Sequence, residues 1–274
     1  MPKTKTKDNF DCMAAKADKY VLYQRSVQEP ESEVKFFNKV FKTAFGRKPV
    51  SLREDFCGTF AICCEWVKSH KDRVAVGVDL DPEPLAWGRE NNLAPLKPKQ
   101  QDRVTLLQQD VRTSGGQKFD ILSAQNFSFW IFKTRPELLK YLKHAYKNLN
   151  DEGMMVMDMM GGGDCWVEDH TDVRKFKDFK YEWEQHKLCP ITHDATFHIH
   201  FQFKDGSRLD KAFTYEWRFW SIPEVVELCK EAGFSEVDVY WEGVDEDGEG
   251  NGIYTAQDHA SPDPCWIAYI VATR

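Results

Sequence analysis

The residues best suited to chemistry follow a short apolar segment in the first quarter of the chain. The stretch Pro49–Val67 reads PVSLREDFCGTFAICCEWV. It places Glu54 and Asp55 at the end of a predicted strand and Gly58 in the turn before an amphipathic helix. A helix N-terminus offers unpaired N–H groups and a positive dipole end, and glycine lets a ligand approach the backbone. The carboxylates would repel a pyrophosphate but attract a cation, so the stretch indicates a ligand with a nucleoside part and a positive charge.

Two further acids end the next predicted strands. Asp79 lies 21 residues after Gly58, and an acid at about this spacing accepts hydrogen bonds from ribose hydroxyls in nucleoside sites. Asp110 ends the third strand. Each acid alone is explained equally well as a solvated strand end. Together with the first stretch they favour S-adenosylmethionine (SAM), which joins a nucleoside to a sulfonium.

Strands and helices alternate between residues 49 and 160, which predicts a parallel, doubly wound α/β sheet. After Gly161–Gly163 the pattern changes to alternating, aromatic-rich segments with a hairpin turn at Lys204–Gly206, which predicts an antiparallel insertion. A helix and two strands then close the sheet. The predicted segments are a tail and N-terminal helical cap at 1–48, a cofactor-binding core at 49–160, the substrate-side insertion at 161–220, and closing elements at 221–274.

Length and composition limit the classes of function. The chain has 274 residues, 42% of them hydrophobic, and a net charge of −7, which argues against a nucleic-acid partner. A basic cluster in the first ten residues is predicted to be a disordered tail. No signal peptide or membrane-spanning stretch is recognisable. The eight scattered cysteines are typical of free thiols in a reducing compartment, so we expect a cytoplasmic protein.

The segment 50–160 resembles class I SAM-dependent methyltransferases. The glycine-rich motif of that family aligns with Glu54-Asp55-Phe56-Cys57-Gly58-Thr59-Phe60, where Phe56 and Phe60 replace the outer glycines. The string LREDFCGT also resembles a group of largely uncharacterised members of this class. The resemblance implies SAM as the cofactor and a Rossmann-like, seven-stranded, mostly parallel sheet whose last strand is antiparallel.

The resemblance also implies roles for individual residues. Asp110 would accept from the adenine amino group, and Asn126 would lie near the reacting methyl. Related enzymes close SAM under an N-terminal helix, where Arg25 could pair with the methionine carboxylate. A helix packed for structural reasons is the alternative. The predicted cofactor-binding residues are Tyr20, Tyr23, Arg25, Glu54, Cys57, Gly58, Thr59, Asp79, Leu80, Asp110, Val111, Asn126 and Phe127.

No residue can be assigned as a catalytic base from the sequence pattern. The candidates for catalysis are Tyr23, Asn126, His198 and His200, with Asp158 as a further possible base. His198 and His200 share one face of a predicted strand and His193 could approach them, but no cysteine or carboxylate in the sequence pattern completes a ligand set. We therefore expect no metal site there. The acidic segment Asp245–Gly252 lacks the ligand order of a calcium loop and is predicted to be a flexible loop.

The sequence therefore predicts a SAM-dependent methyltransferase. It would act by in-line displacement on a small or medium polar acceptor, with no nucleic acid or membrane as partner. A non-catalytic SAM-binding protein is the main alternative. An NAD(P)-dependent oxidoreductase is disfavoured because the GxGxxG motif is absent. The acceptor atom and the oligomeric state stay open.

Overall fold

The computed structural model describes residues 11–113, 115–246 and 250–274. None of its helices is long and apolar enough to cross a membrane. The helices are α1 (Met13–Lys16), α2 (Lys19–Val27), α3 (Pro30–Phe45), α4 (Ala61–Ser69), α5 (Pro82–Gly88), α6 (Pro98–Gln101), α7 (Arg135–Lys147) and α8 (Ile222–Ala232). The strands are β1 (Ser51–Asp55), β2 (Val74–Asp79), β3 (Val104–Gln108), β4 (Phe119–Ala124), β5 (Leu149–Gly161), β6 (His170–Lys175), β7 (Phe179–Leu188), β8 (Asp194–Phe203), β9 (Arg208–Arg218), β10 (Glu236–Val244), β11 (Gly250–Ala256) and β12 (Trp266–Thr273).

The described chain forms two units. The smaller unit joins the described residues up to Gln28 with Trp166–Arg218, and the larger unit joins Glu29–Cys165 with Phe219–Arg274. The segment 1–48, predicted as one helical cap, is thus shared: α2 belongs to the smaller unit and α3 to the larger. The tail predicted at residues 1–10 lies outside the described residues.

The larger unit is built on a mixed sheet. Among the described residues the strand order is β11-β10-β12-β5-β4-β1-β2-β3. Strands β1 to β5 pair in parallel, and β12 runs antiparallel to both β5 and β10. The predicted α/β class, parallel core and antiparallel last strand are confirmed.

The sheet has eight described strands rather than the predicted seven. The additional strand is β11, which pairs antiparallel with β10. Its first residues, Gly250–Gly252, belong to the segment predicted to be a flexible loop, of which residues 247–249 lie outside the described residues. The prediction failed here because two glycines and an asparagine form the start of the strand and acidic residues precede it, a composition typical of loops. The pairing with β10 is a tertiary contact that this local pattern does not reveal.

Helices α3 and α4 bury their apolar sides in the core of the larger unit. Val34, Phe37 and Phe41 of α3 pack in one cluster with Trp66 of α4 and Leu52 of β1. The spacing of three and four residues along α3 places these side chains on one face of the helix. The packing fixes the position of β1 and so of the turn that follows it.

The smaller unit is an antiparallel sheet in the order β6-β7-β8-β9, as the aromatic-rich segments predict. One face is apolar and packs against Leu22 of α2, with Tyr181, Ile199 and Phe201 among its members. Alternate residues point to the opposite face, called here the polar face. It carries Glu182, Glu184, His186, His198, His200 and Thr214.

The eight cysteines are free thiols. Cys57, Cys63, Cys64, Cys165 and Cys229 are buried, whereas Cys265 is exposed. Burial raises the pKa of the Cys57 and Cys63 thiols well above the ordinary value, and the nearby carboxylate of Glu54 adds to the shift. These two thiols are therefore protonated at neutral pH and act as small apolar side chains.

The turn between β1 and α4 has an unusual backbone for its sequence. Phe56, Gly58 and Phe60 have φ angles of 55°, 50° and 47°, in the left-handed region that favours glycine. The two phenylalanines thus adopt the conformation of the glycines they replace, at a cost of about 1–2 kcal/mol each. Phe60 is fully buried and lies against Gly88, where an added Cβ would come within 2.5 Å of its ring. Burial of the ring offsets the strain.

Replacement of Gly88 by alanine tests this packing. Alanine raises helix propensity by about 1 kcal/mol, but its Cβ would also meet the Thr59 carbonyl oxygen at 2.5 Å. Overpacking of this kind costs about 1–3 kcal/mol, so we expect Gly88→Ala to lower the free energy of unfolding by about 2 kcal/mol in chemical denaturation. Gly163→Ala is the control, because nothing lies within 4 Å of a Cβ there. Equal stability of the two variants would contradict the close packing of Phe60.

Candidate functional site

Asp79 joins the turn after β1 to the end of β2. The Gly58 N–H donates to Asp79 Oδ2 at 2.7 Å, and the Asp81 N–H donates to Oδ1 at 2.9 Å. Burial raises the pKa of Asp79, although these N–H donors oppose the shift. The next residue, Leu80, is 68% exposed. The structure therefore brings together the glycine and the acid that the sequence related by spacing, with an exposed apolar side chain beside them.

The two adjacent acids of β1 have different partners. Asp55 accepts from Arg53 Nε at 2.7 Å and from the Tyr141 hydroxyl at 3.0 Å, and all three side chains are buried. Glu54 accepts from the Cys63 N–H of α4 at 2.9 Å. Burial raises the pKa of Glu54 to about 7. Asp55 is thus held in a structural network. Glu54 faces the start of α4 and has no cationic partner among the described residues.

Asp158 of β5 orders the loop after β4. Its carboxylate accepts from the N–H groups of Asn126 and Phe127, each at 2.9 Å. Asn126 and Phe127 have φ angles of 58° and 57°, so the loop is sharply bent where these hydrogen bonds form. Burial raises the pKa of Asp158 to about 7 despite the two donors. Phe129 and Trp130, which follow in the same loop, are fully buried.

Glu33 of α3 is a candidate site residue that no sequence pattern indicated. Its Oε1 accepts from the Tyr269 hydroxyl at 3.1 Å, and its buried Oε2 has no hydrogen-bond partner among the described residues. Burial, together with the negative charges of Asp158 and Glu54, raises the pKa of Glu33 to about 8. The charged groups that influence Glu33 are acids, so this carboxyl is poised to meet a cation.

Two aromatic rings pack against the ring of Tyr269, whose hydroxyl binds Glu33. The Tyr269 ring lies 4.7 Å from that of Tyr254 and 4.4 Å from that of Phe36, measured between centroids. Tyr269 also pairs with Asp158 across β12 and β5. We call Glu33, Asp158, Tyr254 and Tyr269 the acid–tyrosine cluster. Carboxylates and aromatic faces both attract cations, so the cluster has the chemistry of a site for a positively charged group.

Asp110 lies just beyond β3 and is paired with Arg112. Arg112 Nη2 donates to Asp110 Oδ2 at 2.7 Å, and the Arg112 N–H donates to Oδ1 at 2.8 Å. The guanidinium lowers the pKa of Asp110, which keeps this acceptor ionised. The neighbouring Val111 is buried and its carbonyl accepts from Arg53 Nη2. Cys57 and Thr59 of the turn are also buried.

The predicted cap residues Tyr20, Tyr23 and Arg25 lie in the smaller unit. Arg25 donates from Nη1 and Nη2 to the two carboxylate oxygens of Asp178, at 2.8 and 2.7 Å. The rings of Tyr20 and Tyr23 lie 5.9 and 4.9 Å from that of Phe213. A role for these residues in closing over a cofactor stays a prediction.

The candidate histidines separate into two places in the smaller unit. The His193 ring contacts Trp166, with centroids 4.9 Å apart. His198 and His200 lie on the polar face, where His198 Nδ1 is 3.0 Å from Thr214 Oγ1. Glu184 stands opposite His198 on β7, so the structure supplies a carboxylate that the sequence pattern did not reveal. A catalytic role for either histidine stays a prediction.

No family model and no curated protein sequence matches the chain. Solved structures do resemble it. A SAM-dependent methyltransferase from Clostridium acetobutylicum has a TM-score of 0.63 at 16% identity, over 93% of this chain and 96% of that one. A SAM-bound amino pentose methyltransferase from Micromonospora echinaspora has a TM-score of 0.65 at 16% identity, over 93% and 95%.

A sugar N-methyltransferase from Streptoalloteichus is similar over 100% of this chain and 98% of its own, with a TM-score of 0.64 and 16% identity. The likeness therefore extends over nearly the whole length of each protein. At these identities it establishes architecture alone. The chain has the class I, Rossmann-like fold of SAM-dependent methyltransferases.

Proposed function

We propose that this protein is a SAM-dependent methyltransferase acting on an amine nitrogen of a small or medium polar molecule. The observation that carries the proposal is the set of buried carboxyls at the ends of β1 and β5 and on α3. Glu54, Asp158 and Glu33 have pKa values raised to about 7, 7 and 8. A buried carboxylate is costly unless a cation neutralises it, and both SAM and an amine supply positive charge.

The cofactor would bind at the turn after β1. Asp79, held beside Gly58, would accept from the ribose hydroxyls, and Leu80 would contact the adenine. Asp110 and the Val111 backbone would contact the adenine edge. Glu54 would face the methionine amino group, because Asp55 is occupied by Arg53 and Tyr141. The remaining predicted cofactor residues are Cys57, Thr59, Asn126 and Phe127 in the larger unit and Tyr20, Tyr23 and Arg25 in the smaller unit.

The acid–tyrosine cluster would bind and deprotonate the acceptor. When bound, SAM supplies a methyl group activated by its sulfonium, so the protein needs mainly to align a nucleophile and exclude water. An amine that arrives protonated must first lose a proton, because the nitrogen lone pair is what forms the new bond to carbon. Glu33 and Asp158 have raised pKa values suited to accepting that proton near neutral pH.

The names of two similar structures agree with a nitrogen acceptor. One is an amino pentose methyltransferase and another a sugar N-methyltransferase. A small amine with hydroxyl groups is therefore the substrate class that we propose for this chain. Nucleic acid and membrane partners are not part of the proposal, and a cytoplasmic location remains an expectation from the cysteine content.

Thermal denaturation with added ligands separates the candidate functions. We expect SAM and S-adenosylhomocysteine to raise the melting temperature, because a ligand that binds only the folded state stabilises it. NAD should have no effect. Stabilisation by NAD but not by SAM would favour the oxidoreductase. SAM binding without methyl transfer to any member of a panel of amino sugars and other small amines would favour the non-catalytic SAM-binding protein.

Replacement of Asp79 by alanine tests the ribose contact. The change should weaken SAM binding by about 1–3 kcal/mol through loss of charge-assisted hydrogen bonds, which is about a 5- to 150-fold rise in Kd by calorimetry. Asp72→Ala is the control, since Asp72 is an exposed acid just before β2. An unchanged Kd in folded Asp79→Ala protein would show that Asp79 does not hold the ribose.

Replacement of Glu33 by glutamine tests the acid–tyrosine cluster. The pKa of a glutamate is about 4.3 in an unfolded chain and about 8 for folded Glu33. Because the folded state binds the proton more tightly, the stability of the unliganded protein should fall as pH rises from about 5 to 8. We expect Glu33→Gln to reduce this loss of stability between pH 5 and 8. It should also raise the melting temperature at pH 8 by about 2 °C or more.

The same variant should weaken binding of the amine acceptor and lower its rate of methylation, with SAM affinity changed much less. Glu31→Gln is the matched control, because Glu31 lies on the same helix but its side chain is 73% exposed. If Glu33→Gln methylates amines as fast as the wild type does, the cluster is not the acceptor site.

A further inference from the structure

Three potential ligand side chains converge on the polar face of the smaller unit. Glu184 and His186 are on β7 and His198 is on the neighbouring strand β8. One ligand atom from each, two imidazole nitrogens and a carboxylate oxygen, lie within 4.8 Å of one another. The rings of His186 and His198 are 5.0 Å apart between centroids. This cluster uses no residue of the turn after β1.

His186 lies at a β-bulge and, two residues after Glu184, on the same face of β7. The register of β7 against β8 shifts between Gln185 and Lys187, which leaves His186 as the extra residue on β7. A bulge locally disrupts the ladder and redirects a side chain. His186 Nδ1 lies 3.0 Å from Glu184 Oε1.

His198 has a buried nitrogen that the described residues leave without a partner. The residue is only 4% exposed. Its Nδ1 lies 3.0 Å from Thr214 Oγ1, whereas its Nε2 has no hydrogen-bond partner among the described residues. An unpaired buried polar atom costs about 1–3 kcal/mol, and a metal ion is a partner that would satisfy an imidazole nitrogen.

A second layer of polar groups holds the carboxylate. His200 Nε2 lies 2.7 Å from Glu184 Oε2, and His200 Nδ1 lies 2.6 Å from Asp210 Oδ1. Groups that hydrogen-bond to ligands in this way orient them and strengthen metal binding. The chain of contacts from Asp210 through His200 holds Glu184 Oε2. The other carboxylate oxygen, Glu184 Oε1, lies next to His186.

We propose that Glu184, His186 and His198 bind one divalent transition-metal ion of the zinc type. Two histidines and a carboxylate form a ligand set that Zn²⁺ accepts, with a further position left for water or another ligand. Ligand atoms about 2.0–2.1 Å from a tetrahedral zinc ion lie about 3.3 Å from one another. The His186–Glu184 separation of 3.0 Å is close to this value, so small side-chain rotations would complete the set.

The bound ion would join β7 to β8 at the bulge. It would cross-link side chains of the two strands beside the interrupted ladder and provide the partner that His198 Nε2 lacks among the described residues. Of the histidines considered from sequence, only His198 is a ligand in this proposal. His200 acts by positioning Glu184, and His193 takes no part. The proposal does not depend on the methyltransferase activity.

Metal titration of chelator-treated protein, purified without a polyhistidine tag, tests the site. Elemental analysis after Zn²⁺ addition and gel filtration should give one ion per chain. Co²⁺, used as a spectroscopic probe, should give visible absorption bands that Zn²⁺ displaces. His186→Ala should weaken Zn²⁺ binding by about 100-fold or more, and His200→Gln by about 10- to 100-fold.

His170→Ala is the matched control. His170 is an exposed histidine of the same sheet, 3.1 Å from the Asp172 carboxylate, but outside the cluster. The His170→Ala protein should bind Zn²⁺ with the same affinity as the wild type. His186 is 32% exposed, so its replacement should leave the fold intact by circular dichroism. Absence of stoichiometric Zn²⁺ from the wild type, or equal affinity in folded His186→Ala and His170→Ala proteins, would overturn the proposal.

Discussion

The hydrogen bond from the Gly58 N–H to Asp79 is the contact on which the candidate cofactor site depends. It fixes the turn after β1 against the end of β2, so that one backbone amide and one carboxylate keep a constant separation. The turn can reach this position only because Phe56, Gly58 and Phe60 hold left-handed conformations. Those conformations persist because the Phe60 ring is buried against Gly88. Local strain, packing and site geometry are therefore linked through a few residues.

Electrostatics sets a second constraint. The larger unit keeps Glu33, Glu54 and Asp158 in buried positions where desolvation raises each pKa. Burial raises the pKa of Asp55 as well, but Arg53 and Tyr141 donate to its carboxylate and oppose the shift. Of the two neighbouring acids of β1, Asp55 therefore supports the fold, whereas Glu54 is suited to bind a ligand. Unsatisfied carboxyls lower the stability of the unliganded protein, and a cationic ligand would recover it.

Local sequence signals predicted the parallel core, the antiparallel insertion and the relation between Gly58 and Asp79. Each depends on periodicity or on a fixed spacing along the chain. The position of Glu33 could not be predicted in this way, because a glutamate in the first turn of an amphipathic helix is usually solvated. Its partner is Tyr269, more than two hundred residues away, so the contact is visible only in the folded chain. The ligand set on the polar face was hidden for a similar reason, since Glu184 and His186 of β7 meet His198 only through the pairing of β7 with β8.

The burial of the thiols near the turn after β1 has a consequence for chemical labelling. Cysteine reacts as the thiolate, and Cys57 and Cys63 combine a raised pKa with inaccessibility. Cys265 is exposed, so a maleimide reagent should modify it rapidly. Slow modification of Cys57 and Cys63 therefore requires local opening of the turn and the start of α4. The rate of that modification therefore measures how often the turn and the start of α4 open while the rest of the protein stays folded.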